Sequence, residues 1–184
     1  VTVQPGDTAG FQGYVLGSPD APVEITEFAD YQCPFCQTFA TMQMPTIEDR
    51  LIKTGRLRFR YRDFPLSMHS HSRLAAHAAA CADDQHKYWP MHDRLYQGQS
   101  DWSESDDATA IFRGYAKALG LDVAAYDACM TSAKYAGRIQ ASYDLGVRYG
   151  VPSTPTVMIG TKLYTGRLDS AAIIRLVDSL APAG

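Results

Sequence analysis

The chain has 184 residues, four cysteines and a formal net charge of -3, with 17 Lys and Arg scattered among 20 Asp and Glu. That length buries a core without covalent staples, and no basic cluster argues for nucleic acid or an anionic membrane surface as partner. No window reaches the ~18 consecutive apolar residues of a transmembrane helix, and the opening VTVQPGDTAGF lacks the basic and apolar regions of a signal peptide, so the expectation is a cytosolic chain or one whose signal has been removed.

Residues 1–21 read as an irregular Gly, Pro and Asp-rich lead-in with a short strand near Tyr14–Leu16. After Pro22, VEITEF alternates around Val23, Ile25 and Glu27, the period of a strand. From Pro34 the period turns helical, with Phe35, Phe39, Met42 and Ile47 recurring and Pro45 predicting a kink; Pro34 fits a first helical position, where its missing N–H costs nothing. RLRFRYRDFP predicts a second strand, ending at Pro65. Residues 68–148 are helical in composition: an alanine-rich run Leu74–Ala82, then YWPMHDRLYQG, a polar break QSDWSESDD, and periodic stretches from Ala108. Gly150 breaks the pattern before VPSTPTVMIG, which predicts a strand over Thr156–Ile159, followed by a strand KLYTG. Asp169 then predicts an N-cap for a helix with Ile173, Ile174, Leu176, Val177 and Leu180 on one face. The order is βαβ, a helical block, then ββα.

The stretch FADYQCPFCQTF places Cys33 and Cys36 where a strand gives way to a helix. First-turn N–H groups and the positive end of the helix dipole stabilise a thiolate there, and the thiolate is the attacking species in disulfide exchange. Cys36, one turn on, is placed to close a small ring and expel a bound thiol. The same spacing suits half of a zinc site, but a tetrahedral site needs two more ligands. There is no second CxxC, and His69 and His71 do not stand at a usual zinc-finger spacing. His77, His86 and His92 fall on predicted helices without metal spacing, and Tyr88, Trp89 and Tyr96 read as core of the helical block. No metal or cofactor is expected.

VLGSPDAPVEITEFADYQCPFC, CADDQHKYWPMHDRLY and GVPSTPTVMIG, in that order, resemble the DsbA-like thiol-disulfide oxidoreductases of the thioredoxin superfamily. The resemblance implies an α/β thioredoxin fold, its βαβ and ββα halves built around a mixed sheet, over residues 22–66 and 149–184. A helical domain is inserted at 67–148 and an N-terminal extension covers 1–21. It makes Cys33 the exposed nucleophile and Cys36 the buried resolving thiol, and it matches Thr154–Pro155 to a cis-proline loop packed against them, leaving Thr154 to bind the substrate main chain. Glu27 matches the acidic position beneath the buried cysteine, where a desolvated carboxylate takes the Cys36 proton. Pro34 and Phe35 lie over the thiolate; strongly oxidising relatives carry histidine at the Phe35 position, and Phe35 offers substrates an apolar face instead. In some relatives a pair placed like Cys81 and Cys129 forms a second disulfide, the alternative being two buried thiols. The implied function is a periplasmic or extracytoplasmic, monomeric dithiol oxidase acting on unfolded or partly folded, cysteine-containing exported proteins and recycled by a membrane quinone-linked thiol oxidase. A reductase or isomerase, or a non-catalytic binding or chaperone module, is the alternative.

Overall fold

The computed structural model describes residues 10–166 and 168–182. The first nine residues of the proposed extension, and the last two of the chain, lie outside the described residues. Five strands, β1 (Tyr14–Leu16), β2 (Val23–Ala29), β3 (Leu57–Asp63), β4 (Thr156–Ile159) and β5 (Lys162–Thr165), form one mixed sheet in the order β1-β3-β2-β4-β5. β2 runs parallel to β3, with Glu27 opposite Tyr61, and antiparallel to β4, with Glu27 opposite Val157. Alternation along β2 and β3 puts Val23, Ile25, Glu27, Leu57, Phe59, Tyr61 and Asp63 on one face, all buried. Glu24, on the other face, bonds Arg58 and Arg60, the latter at 2.8 Å.

The helix after the cysteines departs from its expected regularity. α1 (Pro34–Thr38) and α2 (Met44–Ile47) are separated by a π-helical turn over Phe39–Gln43, and a second such turn follows over Glu48–Ile52. Pro45 has no N–H to donate, and the turn before it widens so that the Met44 N–H reaches back to the Phe39 carbonyl. Each widened turn rotates the apolar stripe. Phe39, Met44, Ile47, Leu51 and Ile52 are buried, whereas Phe35 and Met42, expected on the same face, are exposed.

Between β3 and β4 lie α3 (Ser72–Asp83), α4 (Tyr88–Gln97), α5 (Gln99–Trp102), α6 (Ala108–Ala118), α7 (Val123–Ser132) and α8 (Ala136–Tyr149). The alanines of α3 are buried around its circumference, because their small side chains let α4, α6, α7 and α8 all pack against it. The expected polar break is in part the turn α5, with Gln99 and Trp102 buried. His86 lies between helices in the left-handed region at φ 57°, not on a helix. Gly150 ends α8 at φ 75°, a conformation that favours glycine. α9 (Ser170–Leu180) is capped by Asp169, whose carboxylate accepts from the Ala172 N–H at 2.7 Å; Ile173 and Val177 are buried while Leu180, expected on the same face, is exposed.

Candidate active site

Cys33 occupies the N-cap of α1 in extended conformation (φ -74°, ψ 123°), with Pro34 in the first turn. Its N–H donates to the Asp30 carbonyl at 3.1 Å and its carbonyl accepts from Gln37 N–H at 3.1 Å, which fixes the turn that projects Sγ toward the β4 end of the sheet. There Cys33 Sγ donates to the Thr154 carbonyl at 3.5 Å, and the Thr154–Pro155 peptide is cis. Cys36 Sγ accepts the Asp30 N–H at 3.5 Å. Both thiols are free.

The two sulfurs stand in opposite electrostatic environments. A hydrogen bond from the Cys36 thiol, the Thr154 side chain and the backbone N–H groups of Cys36 and Phe35 together outweigh burial and lower the Cys33 pKa to about 6. Burial, then the neighbouring Cys33 and the Glu27 charge, push the Cys36 thiol well up. Glu27 lies beneath the pair on the buried face, one carboxylate oxygen without a partner among the described residues, and desolvation followed by the Cys33 charge raises its pKa to about 8. The arrangement can hold Cys33 as thiolate while Cys36 keeps its proton.

Cys33 was expected to be exposed, but it retains only 4% of its surface against 0% for Cys36. The Thr154 carbonyl closes over its sulfur, and the buried Gln99 side chain lies against its backbone. Exposure falls to Pro34 and Phe35, the latter 64% exposed. Phe35, Phe39, Thr154, Pro155 and Leu168 line a largely apolar cleft of about 640 Å³ beside the cysteines. The structure thus brings Glu27, Cys33, Pro34, Cys36, Phe35, Thr154 and Pro155 into one locality. Cys81 and Cys129 lie elsewhere, bonded to each other between α3 and α7.

Several residues of the site carried no recognised signal in the sequence. Asp30, fully buried, accepts from the N–H groups of Gln32 and Leu66 and from His69 Nδ1, each at 2.8 Å, and from the Ser72 hydroxyl. It ties the cysteine loop to the segment leaving β3, and this engages His69, considered above as a zinc ligand. Its place three residues before Cys33 was the available clue. Gln99 donates to backbone carbonyls on both sides of Gln32 from a helix 66 residues further along, where spacing offers no clue. Among the described residues, the group of three metal-type side chains that converges is His77, Cys81 and Cys129, whose two sulfurs are already joined.

The sheet order, the helices between β3 and β4, the CxxC at a helix start and the cis-proline facing it define a DsbA-like thioredoxin-fold protein. The family model described as Thioredoxin matches residues 11–179, so the chain belongs to that family. In sequence it is 30% identical over 167 residues to the Na(+)/H(+) antiporter NhaA 3 of Salinispora tropica, an alignment covering 90% of this chain and 24% of the relative. The chain therefore spans about a quarter of the length of that relative. It is 28% identical over 168 residues to disulfide bond formation protein D of Bacillus subtilis, covering 89% of this chain and 75% of the relative. Among solved structures, oxidised BdbD from Bacillus subtilis superimposes with a TM-score of 0.80 at 26% identity, covering 90% of this chain and 91% of that one.

Proposed function

We propose that this chain is a protein thiol-disulfide oxidoreductase, working as a monomeric dithiol oxidase on unfolded or partly folded exported proteins. In that reading residues 22–66 and 149–184 carry the redox centre, and 67–148 form the inserted domain that covers it. The observation that carries it is the opposed pair: a thiolate-stabilised Cys33 beside a buried, protonated Cys36, facing Thr154 and Pro155. A substrate thiolate attacks Cys33 Sγ of the oxidised pair; the Cys33–Cys36 bond breaks, and Cys36 leaves with the electron pair and takes a proton, which Glu27 supplies. A second substrate thiolate then attacks the substrate sulfur of the mixed disulfide, and Cys33 departs as thiolate. The substrate has lost two electrons and two protons, and the enzyme is a dithiol. Stabilising the Cys33 thiolate favours this direction, because it makes Cys33 the better leaving group and the reduced enzyme the more stable form.

Thr154 offers its backbone to an extended substrate and Phe35, with the adjoining cleft, takes apolar side chains. The Cys81–Cys129 disulfide fits an oxidising, extracytoplasmic location. Reoxidation is assigned to a quinone-linked membrane oxidase by the resemblance to DsbA-like proteins; among the described residues no helix is long and apolar enough to cross a membrane. The reading takes its activity from the name of the Bacillus relative; ion exchange belongs to the whole antiporter, of which this chain matches 24%.

The uncharged Phe35 favours a second reading, a reductase or isomerase, since it adds no charge-assisted contact to the thiolate. Equilibration of the Cys33–Cys36 pair with glutathione buffers separates the two. A potential more oxidising than about -180 mV is expected for the oxidase, and one near about -270 mV would assign the chain to reduction. Cys33→Ser is expected to abolish exchange with a substrate dithiol; full activity in that variant would remove the mechanism.

A further inference from the structure

The CxxC segment is held against the inserted helices by three neutral amide side chains. Gln99 Nε2, buried on α5, donates to the Tyr31 carbonyl at 2.6 Å and the Cys33 carbonyl at 3.1 Å. Gln32 Nε2 donates in the opposite direction, to the Ser103 carbonyl at the end of α5 at 2.8 Å, while its Oε1 accepts the His71 N–H at 2.7 Å. Gln37 Nε2 reaches the Tyr96 carbonyl on α4 at 3.0 Å. Only the NH2 end of an amide can face two carbonyl oxygens, so the orientation of Gln99 is dictated by its partners, and both of its hydrogens are engaged.

The element that presents Gln99 is itself immobilised. Trp102, fully buried on the same turn, donates Nε1–H to the Leu95 carbonyl at 2.9 Å and stands edge-on to Phe112 at 5.2 Å. At the α4–α5 junction, a Cβ added to Gly98 would come within 2.1 Å of the Tyr115 hydroxyl, so the turn sits tight against α6. Gln99 is thus a fixed donor, and the groups it holds are the carbonyls flanking Gln32 at the start of the redox motif.

We propose that Gln99 is a positioning residue by which the inserted helices set the reduction potential of the Cys33–Cys36 pair. The Cys33 carbonyl accepts from Gln37 N–H, the first helical bond of α1, as well as from Gln99. Together these two donors fix the peptide plane between Cys33 and Pro34, and with it the aim of the Phe35 and Cys36 N–H groups at Cys33 Sγ. Without Gln99, two buried carbonyls lose their partner and regain one only if the loop moves, carrying Sγ out of register with those donors. The clamp contains no ionisable group. Its effect is geometric, and it holds at any pH at which the fold persists.

This inference rests on the thiol-disulfide reading of the site. Its test is the titration of Cys33 in the reduced full chain, read by thiolate absorbance, together with equilibration against glutathione, in Gln99→Met, which keeps the length and apolar volume but has no donor. The midpoint is expected to rise by about one pH unit, and the equilibrium with glutathione to shift tenfold toward the disulfide form, which is about 30 mV more reducing. Gln85→Met removes a similar tie within the helical block, Gln85 Nε2 to the Asp122 carbonyl at 3.1 Å and Asp122 N–H to Gln85 Oε1 at 2.7 Å. That variant is expected to lower Tm and leave the Cys33 titration in place. An unchanged midpoint in Gln99→Met, or an equal shift in Gln85→Met, overturns the proposal. If Gln99→Met does not fold, Gln99→Asn decides in its place, keeping the amide but one methylene short of both carbonyls: a rise in the midpoint supports the clamp and no change overturns it. The titration needs no substrate, so a failure of exchange with a substrate dithiol sinks the functional reading and not the clamp.

Discussion

Asp63 is a buried carboxyl on the sheet with no part in the cysteine chemistry. It is fully buried beside β3's tyrosine, neither carboxylate oxygen has a hydrogen-bond partner among the described residues, and burial, then the Asp30 charge, push its pKa up to about 7 from an ordinary 3.8. A carboxyl so raised binds its proton more tightly in the folded chain than in the unfolded one. The stability it contributes is complete below about pH 4 and is lost as the pH climbs through about 7. Asp63→Asn, which cannot ionise, is therefore expected to gain on the wild type as pH rises from 5 to 8, by up to about 2–3 kcal/mol. Urea denaturation at the two pH values measures it, and a gap independent of pH would assign the titration to other groups. Glu27 pulls in the same direction with its pKa near 8, but it lies at the cysteines, where the proposed mechanism draws on its proton. The sequence pointed to Glu27 through its match to a known position; Asp63 drew no such notice, because nothing in a β-period says that both faces of the sheet will be covered.

At the scale of the element, the glycines show how packing overrules propensity. In a helix interior Gly→Ala ordinarily gains about 1 kcal/mol. Gly114, on the exposed side of α6, has nothing within 4 Å of an added Cβ, and Gly114→Ala is expected to stabilise by up to about that amount. Gly146, on α8, is the opposite case. A Cβ there would lie 2.6 Å from the Phe64 ring and 3.1 Å from Phe28, and Phe64 is itself stacked on Tyr143 at 4.8 Å, so the ring has little freedom to yield. Gly146→Ala is expected to lose about 1–2 kcal/mol, overpacking outweighing the gain in propensity. Thermal melts of the two variants should move in opposite directions. The helix after the cysteines teaches the same lesson: its start at Pro34 and its disturbance near Pro45 were legible, but the π turns over Phe39–Gln43 and Glu48–Ile52 depend on how the chain accommodates a missing N–H while seated on the sheet.

At the scale of the whole molecule, the helices between β3 and β4 are held both to the redox motif and to themselves. Cys81 and Cys129, 48 residues apart, are joined, and closing that loop restricts the unfolded chain by about 4 kcal/mol in the chain-entropy account. Cys81→Ala with Cys129→Ala is expected to lower the unfolding free energy by up to about this much, read by chemical denaturation. A loss near zero would mean that α3 and α7 are held together by their packing alone.

By itself the sequence determined the element order, the strand-to-helix placement of Cys33 and Cys36 and the capping of α9 by Asp169, because these follow from hydrophobic period and local chemistry within a few residues. The match to a known family supplied the partnership of Thr154 and Pro155 with the cysteines, which spacing does not contain. Only the tertiary structure decided that Cys33 is almost covered, that Asp30 organises its loop and that Gln99 reaches it from the inserted helices. Those facts depend on which backbone carbonyls are left without partners when distant segments meet, and a hydrogen bond across 66 residues leaves no period in the chain.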